Sequence, residues 1–588
     1  MRKFSTSHYI VDYSLKVHIE TMKNYIFLSC LLSIFLITSC TNHPTADMII
    51  HNGAIYTVAE GESAEAVVVI DDRISFVGNT EEAMDWKGEE TTIIDLKGQT
   101  MIPGLIESHG HLMGLGYSEL NLDLMKVKSY EEMVEKVKEA VDKAEPGEWI
   151  LGRGWHQDKW DSIPANAVKG FQRHDLLSEV SPNNPVYLRH ASGHAGMANS
   201  KAMEIAGVNQ LSKDQQEVEV VGGEVIRDEL GNPTGIFNET AQRLIGKHIP
   251  QTTEEKDRKA LDLAIKACYR NGITSFHDAG QGRKYIDLFK KYKKNNMLNL
   301  RVYVMLTGTD PELVDEYLES GMVIDSIDHM LTIRSIKLNC DGALGSRGAW
   351  LLEEYSDMPG VHGHETLPME TVTTVSERAL AKGFQVCAHA IGDRANREIL
   401  DRYEAAFKKN PTDDHRFRIE HAQHLHPDDI PRFGQLGVIP AMQAVHLSSD
   451  RPWAIDRLGQ ERIENGAYMW QALLQSGAKV INGTDVPVEP VDPLASFYAS
   501  VSRKTLKGMP EGGYEPAQRM TRKQALQSYT LDAAFGEFAE DQKGSIEVGK
   551  LADFTVLSKD IMSIEDAEIL NTEITMTVLG GEVVYENN

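Results

Sequence analysis

The sequence predicts an α/β protein built on a (β/α)8 barrel of the TIM type, with a small β-sandwich from both termini and an insertion over the barrel mouth. Short apolar runs alternate with amphipathic helical stretches through the middle of the chain, and β-rich segments lie at both ends. A stretch rich in Gly, Pro, Trp and His interrupts the alternation. We expect a composite β-sandwich from residues 46–103 and 535–588, a barrel from 104–534, and an insertion at about 145–250.

The two chain ends have the same strand character. Apolar-rich runs separated by Gly, Asn and Asp turns occur near the amino end at 47–58, 64–77 and 91–101, and near the carboxyl end at 544–557 and 572–585. Neither end has enough strands to bury a core alone, so we expect the two ends to combine.

The middle of the chain has the pattern of parallel strands joined by crossover helices. Apolar residues recur at helical intervals in 130–144, 253–271 and 369–383. Such alternation predicts a barrel of eight strands, with one less certain strand in the first half of the chain. The other seven strand candidates are 102–112, 274–279, 336–342, 385–391, 418–423, 438–443 and 480–486.

The composition is that of a globular protein and excludes a nucleic-acid binder. The chain has 588 residues, 41% hydrophobic and 25% charged, and its formal net charge is −27. A protein that binds nucleic acid needs a basic surface to neutralise phosphates, and this chain is strongly acidic. We therefore expect a small-molecule substrate and no nucleic-acid partner; the oligomeric state stays open.

The amino-terminal segment 1–39 has the pattern of an export signal. An apolar run at 25–37 is too short to span a bilayer and follows Lys23. The ending at Cys40 resembles a bacterial lipobox, which predicts a cell-envelope lipoprotein attached to a membrane by lipid on that cysteine, at the periplasm or the outer-membrane face. Met22 would open such a signal by itself. A plain cleaved signal next to a chance cysteine is the alternative.

The remaining cysteines, Cys268, Cys340 and Cys387, have no spacing typical of a zinc site or a disulfide framework. Strand periodicity places Cys387 on the same side as His389, facing inward, and Cys340 on the side opposite to Lys337. We expect free buried thiols rather than a bridge.

Ionisable residues lie at the carboxyl ends of several predicted strands, where the active sites of (β/α)8 barrels are built. The sequence has three His-x-His pairs. His109 and His111 lie at the end of a predicted strand, whereas the pairs at 362–364 and 424–426 lie in turns, and we interpret these two as structural. The residues at strand ends are His109, His111, Lys337, His389, His421 and Asp485.

The alternatives are structural. His389 and His421, taken singly, are equally well explained as hydrogen-bonded core histidines. Lys337, between Ile336 and Leu338, would be costly to bury as a cation, so it is expected to be modified or paired with a carboxylate such as Asp341.

Several motifs together resemble the amidohydrolase superfamily, and specifically its YtcJ-like branch, which includes N-substituted formamide deformylase. The resemblance covers roughly residues 47–588 and rests on many ordered motifs. They are the stretch from Pro103 to His111, Gly152-Arg153-Gly154-Trp155, the stretches 193–200, 223–228 and 231–235, His389-Ala390-Ile391-Gly392-Asp393-Arg394-Ala395, Glu420-His421-Ala422-Gln423, Gly483-Thr484-Asp485 and 549–554.

The resemblance implies a metal-dependent hydrolase that acts on non-peptide carbon–nitrogen bonds, of the amide or N-formyl type. His109, His111 and Asp485 would hold one divalent ion, with zinc expected, and His389 and His421 would hold a second. Lys337 would be carboxylated and would bridge the two ions. Asp485 would also be the catalytic base and then the acid.

The resemblance also implies candidates for substrate contact around this centre, although each of them, taken alone, is better explained by a structural role. Trp155, Trp160 and Trp453 fit either an apolar pocket or the packing of a lid. The candidates for substrate contact are His194, Glu239, His277, Gln443 and His446.

Two rival interpretations remain. A deaminase-type hydrolase of the same fold would bind one ion and leave Lys337 unmodified. A surface lipoprotein that keeps the fold only for binding would show no turnover, and the intact set of candidate ligands argues against it.

Overall fold

The computed structural model describes residues 44–59, 63–157, 160–162, 164–191, 193, 195–208 and 223–587. The predicted export signal, Cys40 and His194 lie outside these residues. Within them, no helix combines the length and apolar character needed to cross a membrane.

Strands from both chain ends form one eight-stranded sheet. With strands numbered in chain order, its path is β23-β22-β21-β5-β1-β2-β3, and β4 pairs with β1. β21 pairs antiparallel with β5, and this pairing joins the two termini. The members are β1 Met48–Tyr56, β2 Ser63–Ile70, β3 Arg73–Gly78, β4 Thr92–Asp95, β5 Thr100–Pro103, β21 Phe554–Leu557, β22 Ile574–Leu579 and β23 Glu582–Glu586, with the short helices α1 Thr80–Met84 and α19 Asp566–Ile569 beside them.

A buried ion pair attaches this sheet to the rest of the molecule. Arg301 binds Asp553 through two hydrogen bonds, from Nε at 2.7 Å and from Nη2 at 2.9 Å. Both side chains are almost fully buried. Asp553 directly precedes β21, so the carboxyl-terminal strands are held against the barrel strand that Arg301 begins.

The central sheet is a nearly closed barrel of eight parallel strands, which confirms the predicted α/β barrel fold. Its open edge is bridged after the last strand: Asp485 N–H donates to the His109 carbonyl at 2.8 Å, and His111 N–H to the Val486 carbonyl at 2.7 Å. In order around the barrel, the strands are β6 Leu105–Gly110, β13 Ile273–Gln281, β14 Arg301–Thr307, β16 Leu331–Asn339, β17 Gln385–Ala390, β18 Arg418–His421, β19 Ile439–Met442 and β20 Ile481–Asn482, with β15 Val323–Ile324 paired to β16.

The strand that the sequence left uncertain is β14. We expected it in the first half of the chain, and that placement is wrong, because it begins at Arg301. It has no ionisable residue at its carboxyl end, so it lacks the signal that marks the strands contributing to the mouth.

Helices surround the barrel and share one large apolar core with it. The predicted helices at 253–271 and 369–383 are present as α7 and α10. Thr253 caps α7 by accepting from Lys256 N–H, and Gly383, with φ 74°, ends α10 in the left-handed conformation. The helices are α2 Leu112–Leu120, α7 Glu254–Arg270, α8 Arg283–Lys294, α9 Pro311–Ser320, α10 Met369–Lys382, α11 Asp393–Lys409, α12 Ile430–Leu436, α13 Ala444–Leu458, α14 Gln460–Gly466, α15 Trp470–Gln475, α16 Pro493–Ser502, α17 Arg522–Ser528 and α18 Leu531–Gly536.

A separate six-stranded sheet is inserted between α2 and α7, with the order β11-β12-β10-β9-β8-β7. It begins at Leu122, before the expected start near residue 145. The expectation was too late because the predicted helix at 130–144 packs on this sheet rather than on the barrel. The elements are β7 Leu122–Asp123, α3 Tyr130–Val141, β8 Ile150–Trp155, α4 Asp175–Val180, β9 Val186–His190, β10 Ala195–Ala198, α5 Ser200–Ile205, β11 Gly223–Arg227, β12 Pro233–Glu239 and α6 Arg243–Gly246.

Candidate metal centre

The barrel brings the candidate histidines together at the carboxyl ends of its strands, the face on which such barrels carry their active sites. His109 lies near the end of β6, with His111 just beyond it; His389 lies near the end of β17, and His421 ends β18. The ring centroids of His109 and His421 are 5.0 Å apart, and those of His389 and His421 are 4.4 Å apart. Residues spread over more than 300 positions therefore meet at one mouth.

His109, His111 and Asp485 form the tightest group. Their ligand atoms all lie within 4.8 Å of one another. Asp485 Oδ1 is 3.2 Å from His111 Nε2 and 3.6 Å from His109 Nε2. Two imidazole nitrogens converging on one carboxylate oxygen are a suitable donor set for a divalent cation.

Three of the four histidines, His109, His111 and His421, have one ring nitrogen hydrogen-bonded to a protein oxygen, which leaves the other nitrogen for a ligand. His111 Nδ1 lies 3.0 Å from the Ala279 carbonyl, and His421 Nδ1 lies 2.6 Å from Gln443 Oε1. His109 Nδ1 contacts a carboxylate oxygen of Glu420. His389 Nε2 lies 3.3 Å from Asp341 Oδ1 but forms no hydrogen bond to it. Such acceptors fix the tautomer and the ring orientation of metal-binding histidines, so these residues fit a metal.

Glu420 and Arg418 support His109, although no pattern in the sequence marks them for this role. Arg418 donates to Glu420 from Nε at 2.7 Å and from Nη2 at 2.9 Å, and both residues are fully buried. Burial alone would raise the pKa of Glu420, but Arg418 and His109 lower it to about 2. The carboxylate next to His109 is therefore ionised at neutral pH.

Asp485 occupies a constrained backbone position. Its φ is 58°, in the left-handed region that non-glycine residues rarely adopt. The preceding Thr484 is held by Glu107, which accepts from Thr484 N–H at 2.7 Å and from its hydroxyl at 2.9 Å. Burial would raise the pKa of Asp485, but the hydrogen bond from His111 and the nearby histidines lower it well below the usual range.

Lys337 is buried at the same mouth. Its Nζ donates to Asn339 Oδ1 at 3.3 Å. Burial lowers its pKa, against the opposing effects of Glu420 and Asp485. Asp341 does not pair with Lys337: it accepts from the backbone N–H groups of Trp350, Ile391 and Gly392 at 2.8–3.0 Å. The alternative of a Lys337–Asp341 salt bridge is therefore wrong.

Two of the residues expected to contact substrate, Gln443 and His446, lie next to His421. Gln443 orients His421, and the buried His446 stacks on His421 with ring centroids 6.3 Å apart. Glu239 is exposed at the end of β12, and His194 lies outside the described residues.

His277 was expected to contact substrate, but it lies inside the barrel below the mouth. Its Nδ1 accepts from Arg418 at 3.0 Å, and its Nε2 lies 3.2 Å from Glu537 Oε1. Arg418 begins β18, so His277 faces the amino-terminal half of the barrel. Position within a strand, rather than residue type, decides which layer a histidine joins.

Two of the three tryptophans pack the insertion. Trp155 is fully buried, donates from Nε1 to the Leu188 carbonyl at 2.9 Å, and lies 6.4 Å from Trp160 between ring centroids. Trp453 packs on the barrel core from α13. For Trp155 and Trp160 the structure supports packing rather than a substrate pocket.

The inward and outward positions of the cysteines follow strand periodicity. Cys387 packs inside the barrel with Ala279 and Met305, and Cys340 belongs to the core between barrel and helices. Cys268, Cys340 and Cys387 are free and buried.

Comparison with known proteins identifies the family. The profile of the amidohydrolase family matches residues 92–585. Protein LONG AFTER FAR-RED 3 of Arabidopsis thaliana is 34% identical, with 92% of each chain covered. YtcJ of Bacillus subtilis (strain 168), named as an amidohydrolase, is 33% identical over 92% of this chain and 99% of its own. The N-substituted formamide deformylase of Arthrobacter pascens is 26% identical, covering 92% and 98%.

A solved structure agrees with the fold and the family. An uncharacterised metal-dependent hydrolase from Pyrococcus furiosus superposes with a TM-score of 0.69 at 30% identity, covering 88% of this chain and 100% of that one. The family match and the histidine–aspartate group agree with this similarity, and all three indicate a metal-dependent hydrolase. The chain belongs to the amidohydrolase family, as a metal-dependent hydrolase of the YtcJ-like branch.

Proposed function

We propose that this protein hydrolyses a non-peptide carbon–nitrogen bond, of the amide or N-formyl type, in a small molecule. The observation that carries the proposal is the convergence of His109 Nε2 and His111 Nε2 on Asp485 Oδ1. The similarity to an enzyme named N-substituted formamide deformylase supports the bond type.

We propose two zinc ions at the mouth, the first held by His109, His111 and Asp485 and the second by His389 and His421. Imidazole and carboxylate donors suit zinc. Lys337 would bridge the ions as a carbamate, formed when its neutral amine bonds to carbon dioxide and releases a proton. Burial favours this modification because it lowers the pKa of Lys337 and so disfavours the cation.

The proposed chemistry assigns one role to each group of residues. A divalent ion bound here would lower the pKa of water to about 7 and would polarise the substrate carbonyl. Asp485, ionised at neutral pH, accepts a proton from the attacking water and then delivers it to the departing nitrogen. Glu420 and Gln443 hold His109 and His421 in orientation throughout.

A one-ion hydrolase of the deaminase type is the second candidate. One observation favours it: among the described residues, His109, His111 and Asp485 are the group close enough to hold an ion without rearrangement. In this case Lys337 would remain an unmodified amine.

The direct test combines metal analysis with a substrate screen. The purified protein, loaded with zinc, is assayed for release of amine from N-formyl and N-acyl amines, and its metal is counted per chain. We expect chelation to abolish product release and zinc to restore it, with two ions per chain for the first candidate and one for the second. Full activity in a chelator-stripped, metal-free preparation would exclude both.

The chain supplies a matched control for this test. His362 and His364 form a second His-x-His pair, but both are exposed. Replacing His109 and His111 by Ala is expected to remove metal and activity together. Replacing His362 and His364 by Ala should leave both unchanged, and the same loss in this variant would argue against the proposed centre.

We further propose that the protein is an exported cell-envelope lipoprotein. The support is the apolar run at 25–37 and the lipobox-like ending at Cys40 in the sequence. Mass spectrometry of the mature protein is expected to show an acylated Cys40 at its amino end. A mature form that still contains residue 30 would contradict the proposal.

A further inference from the structure

A continuous chain of buried side chains runs from the candidate metal centre down the inside of the barrel. Its upper part is the contact of His109 Nδ1 with Glu420 and the two hydrogen bonds from Arg418 to Glu420. Its lower part is the hydrogen bond from Arg418 Nη1 to His277 Nδ1, at 3.0 Å, and the approach of His277 Nε2 to Glu537 Oε1, at 3.2 Å. All five side chains are buried. Two side chains therefore join His277 to a candidate metal ligand.

Arg418 is the branch point of this chain. Its Nε and Nη2 atoms donate to Glu420, and Nη2 also donates to the Ser108 carbonyl at 2.6 Å. Arg418 thus holds both the carboxylate that contacts the His109 ring and the backbone just before His109. A guanidinium group is planar and rigid, so the position of one nitrogen constrains the other two. The contact made by Nη1 therefore affects both supports of His109.

The contact with Arg418 determines which nitrogen of His277 carries the proton. Arginine has no acceptor, so Arg418 is the donor and His277 Nδ1 is unprotonated. The ring proton then lies on Nε2, which faces Glu537. Burial lowers the pKa of His277, against the opposing effect of Glu537, in agreement with a neutral ring. The charges are also balanced without a cationic histidine, because Arg418 pairs with Glu420 and Lys543 pairs with Glu537.

We propose that His277 is a positioning residue of the metal centre, which holds Arg418 and through it Glu420 in the place that orients His109 for a divalent ion. The inference rests on the proposed function, since it concerns the same centre. It adds a residue that touches neither the candidate ligands nor substrate. Without the His277 acceptor, Nη1 would be a buried donor with no acceptor among the described residues, and Arg418 would shift toward another oxygen.

Two amide variants separate the two nitrogens of the ring. The oxygen of the shorter asparagine side chain reaches about the position of Nδ1, and the amide of the longer glutamine reaches about that of Nε2. His277→Asn therefore keeps an acceptor for Arg418 and loses the contact with Glu537, whereas His277→Gln does the reverse. Both variants lose the packing of the ring against Tyr303, with centroids 5.2 Å apart, so both should lower the urea midpoint.

The test measures zinc binding in the absence of any substrate. Metal-free protein competes with a chromogenic chelator for zinc, and urea unfolding records the stability of each variant. We expect His277→Gln to raise the zinc dissociation constant about 3- to 10-fold, less than the 10- to 100-fold typical of a direct partner of a metal ligand. His277→Phe, which also lacks the acceptor, should behave like His277→Gln. His277→Asn should stay within about twofold of the native value.

A merely structural role predicts a different order. Zinc affinity would then follow the urea midpoint, and His277→Asn would lose zinc affinity with His277→Gln. The matched control is His174→Gln, which removes a histidine of the insertion whose Nδ1 lies 2.9 Å from Ser178 Oγ. It should leave the zinc dissociation constant at its native value.

The outcomes separate this inference from the proposed function. If the protein releases no amine from N-formyl or N-acyl amines, but His277→Gln binds zinc more weakly than His277→Asn, the positioning role stands and the proposed reaction fails. If amine release depends on zinc but the three His277 variants bind zinc equally, or in the order of their urea midpoints, the inference is overturned and the proposed reaction stands. A native protein that binds no zinc would overturn both.

Discussion

His109 and Glu420 are 311 positions apart in the sequence, and the Nδ1 atom of the histidine contacts a carboxylate oxygen of the glutamate. The same carboxylate receives two hydrogen bonds from Arg418, which also donates to the Ser108 carbonyl at 2.6 Å. Glu420 therefore links the strand that carries His109 to the strand that carries His421. The centre is held together by partners of its histidines as much as by the histidines themselves.

Glu420→Gln should weaken zinc binding. The amide cannot supply the ionised acceptor that fixes the His109 ring, so we expect zinc affinity to fall about 10- to 100-fold. The unpaired Arg418 should also destabilise the fold by about 3–5 kcal/mol. Competition with a chelator measures the first effect and urea unfolding the second. A zinc dissociation constant within about twofold of the native value would show that Glu420 has no positioning role.

Asp485→Asn should retain much of the zinc and lose turnover. Asparagine can still offer an oxygen to the metal but cannot accept a proton, so we expect kcat to fall by about 10²- to 10⁴-fold. Metal content per chain and kcat are measured on the same preparation, so that loss of metal is distinguished from loss of proton transfer. A near-normal kcat would eliminate the proposed role of Asp485.

Carboxylation of Lys337 has a direct spectroscopic readout. After incubation with ¹³C-labelled bicarbonate and zinc, the native protein should show one carbamate signal per chain by ¹³C NMR. Lys337→Ala should lose the signal and bind less metal. Lys408→Ala, which removes an exposed lysine at the carboxyl end of α11, should keep the signal. A Lys337→Ala protein that still binds two ions would remove the bridging role.

Glu537 should make stability depend on pH in the acidic range. Burial would raise its pKa, but Lys543 and His277 lower it from 4.5 to about 2. Because the folded-state pKa is depressed, the stabilisation is present above pH 4.5 and is lost as the pH falls from 4.5 to about 2. Glu537→Gln should therefore lower the urea midpoint at pH 7, and the difference from the native protein should shrink toward pH 3.

A surface carboxylate is the control for that measurement. Glu135, paired with Lys138 on the exposed side of α3, should have no measurable effect when changed to Gln. If Glu537→Gln gave the same midpoint shift at pH 7 and at pH 3, the buried Lys543–Glu537 pair would not be the source of the pH dependence.

The barrel and the candidate ligands could be predicted because their signals are local. His109, His389, His421 and Asp485 each follow or end an apolar strand, and parallel strands bring their carboxyl ends to one edge. Period-two alternation also gave the correct sides for Cys340 and Cys387. These predictions did not require knowing which residues from distant parts of the chain contact these side chains.

The partners of the histidines could not be predicted in the same way. Arg418 and Glu420 alternate along a short strand, a pattern that fits either a solvated face or a buried ion pair. The choice depends on His109 and Ser108, which arrive from a strand about 310 residues earlier. His277 was misplaced for a related reason: its depth along β13 depends on the register between strands, which residue type does not reveal.

The join between β5 and β21 has a consequence for the order in which the molecule folds. During synthesis, the strands made first wait for a neighbour that emerges about 450 residues later, and Arg301 waits about 250 residues for Asp553. Closing so long a loop costs entropy that is offset only when both partners are present. The sheet and its attachment to the barrel are therefore completed only after Asp553 and β21 have emerged from the ribosome.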